Sequence, residues 1–239
     1  MTLVVVGSVT GSPGATRFLL GLAAAWPDPS RPRVVLEADP DGGRLGAELG
    51  IGVEPGLMAL ALAARSGGLT AAELVTHGAV VGDWSVIPAP ASAEQTTSAL
   101  VHAAGTLAGV VGADREEWVW LVDAGRLSGR SPAMPFARLA TQVVVVTAGA
   151  FPSLQLVPHR VEALRDAGCH VSVVVVEPTA WSPGEVAEFV GADVLAVLPR
   201  VSSRGTGIAA MSASAWRPWW RRVEDAAAWL AADVPVVPA

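Results

Sequence analysis

The chain contains no lysine. All 16 of its basic residues are arginine, so any task that usually falls to an ammonium group must rest on guanidinium, backbone or hydroxyl groups. Tyrosine is missing as well, and the two absences together remove the Tyr-x-x-x-Lys chemistry of short-chain reductases. The single cysteine, Cys169, excludes an intrachain disulfide and fits a reducing compartment. Charged residues make up only 16% of the chain, with a formal net charge of −6, which argues against bulk attraction to nucleic-acid phosphates. No uninterrupted apolar stretch reaches the about 18 residues expected of a spanning helix, and Met1-Thr2 lacks the basic start of a signal peptide. A cytoplasmic location is therefore expected. His77, His102, His159 and His170 show no metal-ligand spacing.

What is present is apolar material in a regular order. Hydrophobic residues make up 51% of the 239 positions, enough for a sheet buried on both faces. β-Branched runs recur from end to end: Leu3-Val4-Val5-Val6, Arg33 to Leu36, Trp84 to Ile87, Trp118 to Asp123, Val143 to Thr147, Val171 to Val176 and Val194 to Leu198. Helical patterns lie between them, from Arg17, Leu57, Thr70, Ser92, Ser153, Ser182 and Ala215. Ser182, Pro183 and Glu185 form the capping-box signature of a helix start. The alternation predicts an α/β fold, a single doubly wound and mostly parallel sheet flanked by helices, spanning 1–239 as one domain.

The chain is organised around Gly7 to Thr16, Gly-Ser-Val-Thr-Gly-Ser-Pro-Gly-Ala-Thr, between the first strand and first helix. A strand, a glycine-rich turn and a helix together make a cradle in which backbone N–H groups converge on an anion. A P-loop ends such a turn with lysine and then Ser/Thr; here that pair is Ala15-Thr16. The hydroxyl suited to magnesium is present and the ammonium suited to phosphate is not. Two acidic strand ends face the same region by topology: Glu37-Ala38-Asp39 after the second strand and Asp123 closing Trp118 to Asp123, the form of a Walker B strand. The polar loop Gly125 to Pro132 follows Asp123, where a nucleotide-sensing switch would lie.

These motifs, in this order, resemble the MinD/ParA family, the deviant Walker A branch of P-loop NTPases. The family loop reads Lys-Gly-Gly-x-Gly-Lys-Ser/Thr, and the matching positions are Thr10-Gly11-Ser12-Pro13-Gly14-Ala15-Thr16. The resemblance implies a nucleotide site on Gly11, Ser12, Gly14, Ala15 and Thr16, with Glu177 and Pro199 near the base. It implies magnesium at Thr16 and Asp123, and a vestigial catalytic role for Asp39. ATP or ADP with magnesium is the cofactor it implies, but both family lysines are replaced, by Thr10 and Ala15, and the adenine-reading asparagine by Glu177. Ordinary ATP hydrolysis is thus not expected. The lysine-less loop is similar to that of CpaE/TadZ-like relatives of pilus and secretion systems.

The resemblance leads to a pseudo-ATPase acting as a localisation or assembly scaffold for a pilus, secretion or cell-division apparatus, with protein partners and a homodimer as its unit. A ParA-type partition ATPase with weak hydrolysis is one alternative. An NAD(P)-binding Rossmann enzyme is another, with Gly7, Gly11 and Gly14 as the turn and Glu37 on a ribose. In the C-terminal helix, Trp216, Trp219, Trp220, Val223, Ala227 and Leu230 recur at helical spacing beside Arg217, Arg221 and Arg222. This reads as a last helix packed on the sheet, tryptophans inward. A partner-binding or peripheral membrane-surface helix is the competing reading, and Asp233 to Ala239 is too proline-rich for a terminal membrane helix.

Overall fold

The β-branched runs become the strands of one eight-stranded sheet, ordered β3-β4-β2-β5-β1-β6-β7-β8 in the computed structural model, which describes residues 2–11, 13–114, 118–200 and 216–232. The strands are β1 (Thr2–Ser8), β2 (Arg33–Glu37), β3 (Ala79–Val81), β4 (Trp84–Ile87), β5 (Val119–Arg126), β6 (Gln142–Ala148), β7 (Val171–Val176) and β8 (Val194–Leu198). Every pairing is parallel except β3 with β4, a hairpin at the sheet edge. That hairpin strand was not legible in the sequence: it is three residues long, and Val80 points to solvent.

Strand alternation divides the core in two. Leu3, Val5, Val34, Leu36, Trp120 and Val122 face one side; Val4, Val6, Val35, Leu121, Val144 and Val146 face the other. The first side is covered by α3 (Leu57–Ala64), α5 (Ala93–Ala113), α6 (Met134–Leu139), α7 (Phe151–Leu154), α8 (Val157–Asp166) and α9 (Pro183–Val190). The second is covered chiefly by α1 (Ala15–Ala24) and α10 (Arg217–Ala231), with Leu45 of the short α2 (Leu45–Leu49) joining it. The remaining helix, α4 (Ala71–Val75), opens with a capping box from Thr70 and Glu73. Ser182 and Glu185 cap α9 as their spacing predicts, and Ser92 caps α5. The helix expected from Ser153 is instead split into α7 and α8.

α5 is long and apolar enough to cross a membrane by length and composition. Its inward face, including Thr96, Leu100, Ala103, Leu107 and Val111, lies in the core, so its apolar content is that of a helix packed on a sheet.

The C-terminal helix packs on the fold. Trp216, Trp219, Val223, Ala227 and Leu230 are buried against α1 and β8. Trp219 stands edge-on to both Trp216 and Trp220, with centroids 5.4 and 5.2 Å away. It presses so closely on Gly21 that a Cβ there would come within 2.5 Å of the indole. Trp216 and Trp219 are therefore spent on the core, while Trp220 is half-buried and Trp229 of the same helix is exposed. The expectation for Asp233 to Ala239 lies outside the described residues, as does Ser12.

Candidate functional site

The parallel sheet delivers the ends of β1, β2 and β5 to one edge, where a cavity of about 400 Å³ opens over the glycine turn. That is within the roughly 300–1,000 Å³ of small-molecule sites. Gly11, Gly14, Ala15 and Thr16 line it, opposite Asp39. Gly14 sits at the N-cap of α1 with φ of 100°, a left-handed conformation that suits glycine. It also has no side chain to occupy the first amides of the helix, which leave the helix end toward the cavity. Ala15, in the P-loop lysine's place, is only 7% exposed and begins α1.

Asp123 lies beneath the turn and is 1% exposed. Its carboxylate accepts the Thr16 hydroxyl and, at 3.0 Å, the Gly125 N–H. Burial, helped by the nearby charges of Asp39 and Glu37, outweighs those bonds and pushes its pKa up to about 7. Thr16 and Asp123 are the side chains that would hold a magnesium ion here. Among the described residues, no group of three His, Cys, Asp or Glu side chains is arranged to hold a metal. Magnesium here would depend on nucleotide oxygens for its remaining ligands.

The acid that ends β2 and the one two residues beyond it have separate fates. Glu37 is buried, its Oε1 accepting the N–H groups of Arg44 at 2.6 Å and Leu45 at 2.9 Å. Its Oε2 accepts the Ala89 N–H at 2.8 Å. This one carboxylate ties the start of α2 to the loop after β4, although burial raises its pKa. It is not open to a ribose, which takes away the acid that the dinucleotide-enzyme alternative requires. Asp39 is half-buried and lines the cavity, its Oδ1 accepting the Asp41 N–H at 2.9 Å. Burial raises its pKa too.

Glu177 and Pro199 stand elsewhere along the sheet edge, beyond β7 and β8, where the Glu177 N–H bonds the Leu198 carbonyl at 2.9 Å. Glu177 is exposed, Pro199 half-buried, and neither lines the cavity. The structure thus brings Gly11, Gly14, Ala15, Thr16, Asp39 and Asp123 together and sets those two apart.

Arginine supplies the cationic side chains of the cavity wall. Arg44 pairs with Glu48 at 3.4 Å, one helical turn on. Arg17 packs its guanidinium over Trp216, 5.6 Å from the ring centroid. Arg126 stands at the far end of β5 and was not singled out from sequence. A signal was available: Gly125 interrupts a strand pattern, which often marks a bulge.

No family model matches the chain, and no curated protein matches it in sequence. Solved structures match it almost end to end. The ParA family ATPase of Chlorobium tepidum TLS superposes with a TM-score of 0.78 at 15% identity, over 95% of this chain and 98% of that one. The cell division ATPase MinD of Pyrococcus furiosus gives 0.75 at 18% identity, over 98% and 100%. The septum site-determining protein MinD of Pyrococcus horikoshii OT3, solved in complex with Mg-ADP, gives 0.68 at 14% identity, over 99% and 100%. At such identities the likeness is one of fold: the chain has the architecture of MinD and ParA ATPases.

Proposed function

We propose that this protein is a nucleotide-binding scaffold of MinD/ParA architecture that hydrolyses ATP marginally or not at all. One observation carries the reading: the cradle keeps its glycine turn, its Thr16–Asp123 hydrogen bond and its cavity, while Ala15 takes the place of the cation. A lysine at that place acts in the transition state as well as in binding. Its loss therefore weakens turnover more than it weakens the pocket. The residues present fit a nucleotide: Gly14 and the first amides of α1 would face the phosphates, and Thr16 would face magnesium. Bound magnesium supplies charge neutralisation between phosphate oxygens; the chain itself would orient the phosphates and hold Asp39 near them.

The working unit would be a cytoplasmic homodimer acting through protein partners, at an assembly such as a pilus, secretion or division apparatus. The test is ATP turnover by the purified full chain with magnesium, beside Asp39→Ala. The expected result is a rate indistinguishable from that of the variant. Turnover at the level of active partition ATPases, abolished by Asp39→Ala, would favour the ParA-type alternative instead.

A further inference from the structure

The geometry points to Arg126 as the cation that replaces the missing loop lysine, recognising the phosphate chain of a nucleotide or other polyphosphate. This rests on the nucleotide reading above and adds which residue supplies the charge.

Along β1 and β5, Val6 is opposite Asp123 but Ser8 is opposite Arg126, so β5 carries one residue more than β1 over this step. That is a β-bulge, and a bulge reverses which face the following side chain takes. Ala124 and Leu127 both belong to the core under α5 and α6. Without the extra residue Arg126 would share the face of Ala124. With it, Arg126 falls on the face of Asp123, toward the glycine turn.

Gly125 makes the bulge possible. Its φ is 55°, and a Cβ there would overlap the carboxyl of Asp39. The backbone after it is pinned, because the Leu127 N–H bonds the Ser8 carbonyl at 3.0 Å. Arg126 therefore leaves a fixed point on the sheet, and its guanidinium lies over the loop: a Cβ at Gly11 would be 3.3 Å from its terminal nitrogen.

Its engagement is loose. Among the described residues the nearest carboxylate oxygen is that of Asp41 at 4.0 Å, with the two side chains 58% and 66% exposed. Such a pair is worth little, and a guanidinium can exchange it for two parallel bonds to a phosphate. Of the other cavity arginines, Arg44 makes a closer pair with Glu48 at 3.4 Å and Arg17 stacks on Trp216, whereas the Arg126 guanidinium is the one placed over Gly11.

The test is calorimetric titration of the full chain with Mg-ADP, pyrophosphate and AMP. The variants are Arg126→Ala, Arg126→Lys, Arg165→Ala and the double variant Arg126→Ala/Ala15→Lys. Loss of a charge-assisted bond predicts that Arg126→Ala weakens Mg-ADP and pyrophosphate by the same factor, about tenfold or more. AMP binds weakly throughout. Arg165→Ala, on the exposed face of α8 and away from the cavity, stays within about twofold of the parent, and both lysine-bearing variants recover part of the loss. Arg126 is exposed, so an unchanged melting temperature will show that its variants fold. If Arg126→Ala binds both probes as the parent does, the Arg126 assignment is overturned and the nucleotide reading stands. If the parent binds none of the three, both are overturned.

Discussion

Helix α1 serves two regions that respond to sequence change in opposite ways. Its first turn borders the polar cavity, where Ala15, Thr16 and Arg17 meet the ends of β1, β2 and β5. Its body is packed between the sheet and α10, with Phe18, Leu19 and Leu22 fully buried and Gly21 against Trp219. In the cavity no lysine is present and the architecture stands without it, since an open polar cavity does not depend on close packing for its shape. In the packing layer a single added carbon at Gly21 has nowhere to go. Binding chemistry can thus drift at one end of a helix whose other face is fixed by close packing.

That contrast is sharpest where the core is cut. Trp219→Ala is expected to cost roughly 3–5 kcal/mol, as for large aromatic residues removed from cores, read as a shift in the urea midpoint. A loss within about 0.5 kcal/mol, typical of surface sites, would place α10 outside the core and restore it as a partner surface.

The second effect crosses from cavity to stability. Asp123 has an ordinary pKa of 3.8 and is pushed up to about 7 in the fold. Between those values the unfolded chain has released its proton while the folded chain retains it. Stability therefore falls as pH rises through that window, and the full cost applies above about pH 7. Asp39 and Glu37 are shifted in the same direction and add to the trend. Asp123→Asn keeps an acceptor for the Gly125 N–H, so it should stabilise the fold at about pH 8 by roughly 2–4 kcal/mol, with the gain shrinking toward pH 4. Denaturation at several pH values measures this; a variant less stable than its parent at pH 8 would mean that ionised Asp123 is a net stabiliser.

The smallest expected effect is on assembly. The resemblance implies that Thr10 takes the place of a lysine that would reach the partner's nucleotide in a dimer. Closure around ATP would then lack that charge, so magnesium-ATP should leave the mass distribution in light scattering unchanged. With Trp216 and Trp219 buried, the exposed apolar residues Met58 and Leu62 of α3 are the better candidates for any self-association. A monomer that dimerises only with ATP would show that the altered loop still closes on phosphate.

Much of this was legible in sequence because central parallel strands must be apolar on both faces, so Leu3 to Val6 and Val171 to Val176 announce themselves. Capping chemistry is equally local, and Ser182 to Glu185 reads the same before and after folding. The role of Glu37 was not legible. It looked like a site acid because it ends a strand, but its carboxylate is consumed by amides from two loops that meet only in three dimensions. Arg126 was hidden for a related reason: its direction depends on a one-residue register shift against β1. Glu177 and Pro199 came from the resemblance alone, Glu177 in place of an asparagine and Pro199 at a matching strand-to-proline step, and the cavity does not reach them.

The cradle keeps its turn, its Thr16–Asp123 bond and its cavity, and lacks the loop lysine, for which Arg126 offers only a loosely held substitute charge. The most direct measurement is nucleotide affinity and turnover, side by side, for the parent and Ala15→Lys. The account predicts that the added ammonium tightens Mg-ATP binding by about tenfold or more while turnover stays near background, because Thr10 remains. Binding unchanged by Ala15→Lys would contradict it, since the loop would then no longer hold phosphate where a P-loop does.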